Sequence, residues 1–200
     1  MFLLLIAAIA HAKCPDKLPA EYADDEKSSG RVILVVKDTR ELGVYEGDAL
    51  VSKCFPIAMG PAADDGPKLR RGDVRTPEGW YSVTHRNPNS AFELSLGISY
   101  PNFDDVMRGV ENGTILYPEA DRVSAALNAG KAPPQNTALG GDIFFHANPG
   151  RFVNDWTLGC VSLLSADMRE LYRLGDPGAA VLILPTLGKT QSAELVPTAG

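Results

Sequence analysis

The 200-residue sequence is poor in the groups that metal centres and nucleic-acid surfaces need. Its three histidines, His11, His85 and His146, are widely separated and its three cysteines form no CxxC pair, so ligand spacing gives no reason to expect a metal or cofactor. Lys and Arg number 19 against 25 Asp and Glu, a formal net charge of -6 and the wrong sign for a nucleic-acid partner. No apolar run is long enough to cross a bilayer. With 19 Gly and 15 Pro the chain lacks the uninterrupted stretches of a helical bundle and suits a turn-rich β protein. What is present is ordinary for one folded domain: 44% hydrophobic and 22% charged residues, in a chain long enough to bury about 70 % of its unfolded surface.

The apolar run at residues 2–10, FLLLIAAIA, is followed by Ala10-His11-Ala12, a small-x-small cleavage pattern. Residues 1–12 therefore read as an export signal, with a buried first strand as the alternative, and the mature chain would start at Lys13 with no transmembrane span. Residues 13–30 make an arm, 31–186 the domain, and 187–200 a polar tail expected to fray. In an oxidising compartment three cysteines, Cys14, Cys54 and Cys160, imply either one free thiol or an intermolecular bridge.

Strands are expected at 32–36 and 42–45 as a hairpin, then at 49–58, 80–85, 91–98, 142–146 and 180–184, where AVLIL reads as fully buried and Pro185 ends it. Helical spacing joins Phe103 to Val106, Met107 and Val110, and a second helix is expected over 120–128 behind Pro118. A third starts at Ser165 as N-cap and stops at Gly175. The stretches 61–79 and 130–141, rich in Gly, Pro and charge, read as loops. The fold class is mainly β with a few short helices, in one domain of mostly antiparallel strands.

The chemistry concentrates in residues 143–163, IFFHANPGRFVNDWTLGCVSL. His146 ends an apolar strand and Cys160 follows 14 positions later, after Thr157-Leu158-Gly159. An imidazole within reach of a thiol can take its proton and make it a nucleophile for acyl transfer. Gly159 admits close backbone approach, and amides flanking Cys160 could meet an oxyanion. The dipole of the helix beginning at Ser165 would add to this if its start lay near the sulfur. A buried, inert cysteine beside Val161 and Leu163 is the alternative reading of the same residues.

The pattern His146, then Asp155-Trp156-Thr157-x-Gly159-Cys160-Val161, then Met168 in a helix and a last strand into Pro185, resembles the L,D-transpeptidase catalytic (YkuD) domain. Upstream, Gly66-Pro67-Lys68 and Gly72-Asp73-x-Arg75-Thr76-Pro77-Glu78-Gly79-x-Tyr81 are similar to its TPxG segment, and Ser99-Tyr100-Pro101 to its YP turn. Trp-Thr-x-Gly-Cys in place of Ser-His-Gly-Cys is similar to the YafK-like branch. The resemblance implies a β-sandwich-like fold, Cys160 as nucleophile, His146 as base oriented by the Ala147 carbonyl, and oxyanion amides from Gly159 and Cys160. It implies an acyltransferase acting on peptidoglycan stem peptides in wall biogenesis and cell shape; with the export signal, this places the expected enzyme in the periplasm or cell envelope, and a monomer is expected. An L,D-carboxypeptidase or endopeptidase using the same residues, or a non-catalytic wall-binding module, are the alternatives.

The chain departs from the family pattern at Ala147, Leu158 and Ser162, where Gly, His and Asn or Arg are usual. Without an Arg at 162 the substrate carboxylate would need another cation, and Lys68, Arg71, Arg75 and Arg151 are the candidates. Tyr81, Trp156, Thr157 and Ser162 complete the expected substrate-binding set, with Trp156 either a substrate wall or a core aromatic. If Cys14 and Cys54 were bridged, Cys160 would stay free; two unrelated thiols are the alternative.

Overall fold

Five consecutive aliphatic residues after Arg31 can be accommodated only by a strand covered on both faces. In the computed structural model, which describes residues 14–148, 150 and 154–188, that segment is β1 (Arg31–Val36). Its residues alternate between two apolar layers. Ile33 and Val35 enter the main core with Leu42, Phe55, Leu96, Phe145, Val161 and Val181. Val32, Leu34 and Val36 face a smaller layer with Leu182, Leu184 and Leu18 of the arm. The second fully apolar run becomes β9 (Ala180–Leu184), paired in parallel with β1.

The other strands are β2 (Glu41–Glu46), β3 (Ala49–Leu50), β4 (Phe55–Ala58), β5 (Gly79–Ser90), β6 (Glu93–Ile98), β7 (Phe144–Asn148) and β8 (Val161–Leu164). Their order is β1-β9-β5-β6-β7-β8-β4-β2-β3, and β1 also pairs with β2, so the sheet curls until eight strands close a ring with β3 outside it. Closure removes the open edges that a mainly β chain must otherwise protect. Only β1–β9 and β7–β8 are parallel. No described helix is long and apolar enough to cross a membrane.

The helices are α1 (Ala20–Ala23) in the arm, α2 (Phe103–Glu111), α3 (Tyr117–Asn128) and α4 (Ser165–Leu174). A capping box between Asn102 and Asp105 starts α2, which turns Val106 and Gly109 inward and leaves Phe103 and Met107 exposed. The arm is fastened by a Cys14–Cys54 disulfide and by backbone bonds of Leu18 to Asp48 and Leu50 to Asp16.

Three local expectations change. The strand at 49–58 is broken over 51–54, because β3 continues the β2 hairpin while Cys54 is drawn to the arm and β4 pairs with β2 and β8. Ser165 does not cap α4; Leu164 occupies the N-cap, and the Ser165 hydroxyl donates to Glu93 instead. The β5–β6 hairpin is longer than expected, reaching Ser90. The export-signal reading of residues 1–12, Arg151, and the tail beyond 188 lie outside the described residues.

Candidate active site

The central strands build one polar face on an otherwise apolar barrel. In β7 and β8, Phe145 and Ala147 pair with Val161 and Leu163, and all four enter the core. Strand alternation therefore turns His146 and Ser162, which are partners in register, to the opposite face. Cys160 lies one residue before β8 on that same face, diagonal to His146. Diagonal neighbours are about 7–8 Å apart at Cα, a span that an imidazole and a thiol together can bridge. The register continues through Ser95 on β6 and Ala58 on β4, so His146 is flanked by small side chains that leave room for its ring.

His146 is 4% exposed and its Nδ1 lies 3.0 Å from the Ala147 carbonyl oxygen. A carbonyl only accepts, so Nδ1 carries the hydrogen and Nε2 presents a lone pair. Phe92, from the tip of the β5–β6 hairpin, stacks on the imidazole at 4.4 Å, and Trp156 meets its edge at 5.5 Å. Burial beneath these rings holds the imidazole pKa below its ordinary 6.5, with the Ala147 carbonyl opposing. His146 is thus neutral and competent as a base at neutral pH.

Cys160 is the free cysteine and is half-buried; its thiol donates to the Asp142 carbonyl at 3.4 Å. Burial pushes the thiol pKa above 9.0, against the pull of the Phe144 amide and Lys68, while Asp142 raises it further. Both shifts favour the uncharged forms of the pair, thiol and imidazole. The α4 dipole gives no help, because four strand residues, about 13 Å at 3.3 Å each, separate Cys160 from the start of that helix.

The turn before Cys160 is set by two glycines and one hydroxyl. Gly159 has φ +126°, and a Cβ there would lie 2.6 Å from the Arg75 carbonyl oxygen. The Thr157 hydroxyl donates to the Cys160 carbonyl at 2.7 Å and accepts from the Gly159 amide at 3.2 Å. The Gly159 amide is therefore engaged within the turn. Gly60 packs against the Val74 carbonyl so closely that no Cβ fits between them. The 61–79 loop is thereby pressed against the cysteine turn, and two buried lysines hold it. Lys37 donates to Glu78 at 2.5 Å and to the Gly66 and Thr76 carbonyls. Lys68 reaches Asp73 at 2.7 Å and the Arg70 carbonyl at 3.0 Å.

The expected substrate-binding residues divide accordingly. Trp156 is 42% exposed, with its ring against the edge of His146. Thr157 and Ser162 are buried; the Thr157 hydroxyl is used by the turn, and the Ser162 hydroxyl has no partner among the described residues. Lys68 is buried against Asp73, and Arg75 touches the Pro67 carbonyl with its guanidinium and Gly159 with its backbone. Arg71 reaches the Gln135 carbonyl. Tyr81 is a core residue, its hydroxyl 2.8 Å from Asp105 and 2.9 Å from the Glu78 carbonyl. Sequence reasoning missed Phe92, Lys37 and the carbonyl of Asp142, because nothing local in the chain says which hairpin tip or strand end will meet His146 and Cys160.

Comparison with known proteins agrees with this fold. The YkuD family, described as the L,D-transpeptidase catalytic domain, matches residues 30–183. YafK of Escherichia coli (strain K12), whose name places it provisionally among the L,D-transpeptidases, is 41% identical over 66 residues, 32% of this chain and 26% of that protein. Bd1075 of Bdellovibrio bacteriovorus is similar in structure with a TM-score of 0.53 at 25% identity, over 86% of this chain and 54% of that one. Pgp2 of Campylobacter jejuni, a helical cell shape determining protein, has a TM-score of 0.51 at 20% identity, over 78% of this chain and 48% of that one. The chain thus spans about a quarter of the curated relative and about half of each solved structure. A ring of mostly antiparallel strands with His146 and Cys160 on one face, and a family match across the whole barrel, make this chain a member of the L,D-transpeptidase catalytic (YkuD) domain family.

Proposed function

We propose that the chain is a cysteine acyltransferase of the L,D-transpeptidase type that acts on peptidoglycan stem peptides outside the cytoplasm. The observation that carries the reading is the free, half-buried Cys160 thiol on the same sheet face as an imidazole whose Nδ1 is tied to Ala147, leaving Nε2 unprotonated. In the proposed reaction Nε2 takes the thiol proton as sulfur attacks the carbonyl on the L-centre of the stem diamino acid. The Cys160 amide receives the oxyanion, and the proton passes to the departing D-Ala amine, leaving a thioester. An acceptor amine then attacks the thioester, loses its proton to Nε2 and returns the thiol. The Trp156 and Phe92 rings wall the site on the imidazole side and keep water from the base. The Cys14–Cys54 disulfide supports export, since such bonds persist in oxidising compartments. Wall remodelling and an effect on cell shape would follow from the activity.

Purified muropeptides incubated with wild type and Cys160→Ala test the reading. Cross-linked dimers with wild type and none with Cys160→Ala are expected. Shortened monomers without dimers would assign the same thiol to hydrolysis, and products undiminished in Cys160→Ala would overturn a role for the sulfur.

A further inference from the structure

The six residues Asp155 to Cys160 form no helix or strand, and Leu158 among them is 75% exposed, yet the turn must hold an amide and a thiol to within fractions of an ångström. We propose that the Arg40–Asp155 ion pair is the positioning device that holds this turn, an inference that rests on Cys160 being the acylated nucleophile. Asp155 Oδ1 accepts from the Met59 amide at 2.8 Å, and the Met59 carbonyl accepts from both Trp156 and Thr157, at 2.8 and 2.9 Å. Asp155 Oδ2 accepts from Arg40 Nε at 2.9 Å and meets its second terminal nitrogen at 2.7 Å.

Arg40 is itself fixed from three sides. It sits at the β1–β2 turn with φ +56°, its guanidinium forms a fork with Asp64 at 2.8 and 2.7 Å, and it also donates to the Lys37 carbonyl. Its own carbonyl accepts from Ile57 of β4. A planar guanidinium with several fixed acceptors is a rigid bracket, which an ammonium cannot reproduce.

The path from bracket to reacting atoms is short. Arg40 orients Asp155, Asp155 and Met59 lock Trp156 and Thr157, and the Thr157 hydroxyl holds both the Gly159 amide and the Cys160 carbonyl. Those two bonds bracket the Gly159–Cys160 peptide, whose N–H is the proposed oxyanion donor. The pair therefore acts on the direction of that N–H and leaves thiol acidity to burial.

Two reactions of Cys160 separate these roles. Acylation by a carbapenem builds a tetrahedral oxyanion and needs the amide; alkylation by iodoacetamide is a direct displacement and needs only accessible thiolate. With Asp155→Asn and Arg40→Ala, the acylation rate followed by intact mass is expected to fall about ten- to a hundredfold. Alkylation should stay within about threefold of wild type, and Arg40→Lys should lie between wild type and Arg40→Ala. Circular dichroism identifies any variant that fails to fold, and Arg40→Lys then carries the comparison. Unchanged acylation in Asp155→Asn and Arg40→Ala would overturn the inference, as would acylation and alkylation falling in equal proportion. A wild type that a carbapenem does not acylate at Cys160 would instead remove the reading on which the inference rests.

Discussion

At the scale of single residues, burial decides the protonation of both reactive groups before a substrate arrives. The half-buried thiol keeps its proton above 9.0, and the covered imidazole gives its proton up more readily than an ordinary histidine at 6.5. In the proposed reaction such a neutral pair acquires its nucleophile only when Nε2 removes the proton as the sulfur attacks. The pH dependence follows with a definite sign. Iodoacetamide alkylation of Cys160 should climb steadily as pH rises past 9.0, without the plateau near neutrality that a preformed thiolate–imidazolium pair would give. On the acid side, the unfolded chain binds a proton at His146 near 6.5 while the folded one binds it only at lower pH. Stability from this group is therefore complete above 6.5 and declines as pH falls toward the depressed folded value. Transfer activity should hold through that interval and decline only at still lower pH, where the folded imidazole itself takes up its proton and the base is lost. Alkylation rates, muropeptide turnover and urea unfolding across pH check the three curves; a neutral plateau in the first would show that the sulfur is ionised at rest.

At the scale of elements, the site depends on the 61–79 loop being pressed against the turn that carries Cys160. The loop has little hydrophobic anchorage, and its order comes from ions taken out of water. The Lys37 ammonium, 1% exposed, is surrounded by Glu78 and two carbonyls, and burial lowers its pKa despite that carboxylate. Glu78→Gln removes the partner charge and leaves the ammonium buried without it, a change that typically costs about 3–5 kcal/mol. Urea unfolding of Glu78→Gln should register a loss of that order. The double variant Lys37→Met with Glu78→Gln should recover much of it, because the stranded charge is gone. A Glu78→Gln protein as stable as wild type would mean that the loop is held by other contacts. This loop was legible in the sequence only as a Gly- and Pro-rich connection. That Lys37, directly after an apolar strand, would be buried was not legible, since its partner stands 41 positions away and the pairing exists only once the barrel closes.

At the scale of the whole molecule, the arm is joined to the barrel across a closed loop of 40 residues. A cross-link of that span stabilises a domain by about 2–4 kcal/mol, chiefly by restricting the unfolded chain. Cys14→Ser with Cys54→Ser should unfold at correspondingly lower urea, and wild type in reductant should match it, while Cys160 alkylation in native conditions stays unchanged. Equal stability of the oxidised and reduced forms would show that the arm's contacts with Leu50, Asp48 and the β1–β9 face suffice alone. Much of this architecture was carried by the sequence itself. The two all-aliphatic strands, the hairpin of β1 with β2, the three longer helices, and the His146 to Cys160 spacing are properties of short segments, where periodicity, β-branching and turn residues act locally. The relation between distant segments belonged to the fold alone: which strands close the ring, that Phe92 covers the imidazole, that Thr157 and Ser162 turn inward, and that Arg40 meets Asp155. Those contacts join residues from about 50 to more than 100 positions apart, and their free energy comes from burying charge and aromatic surface between segments that no local pattern brings together.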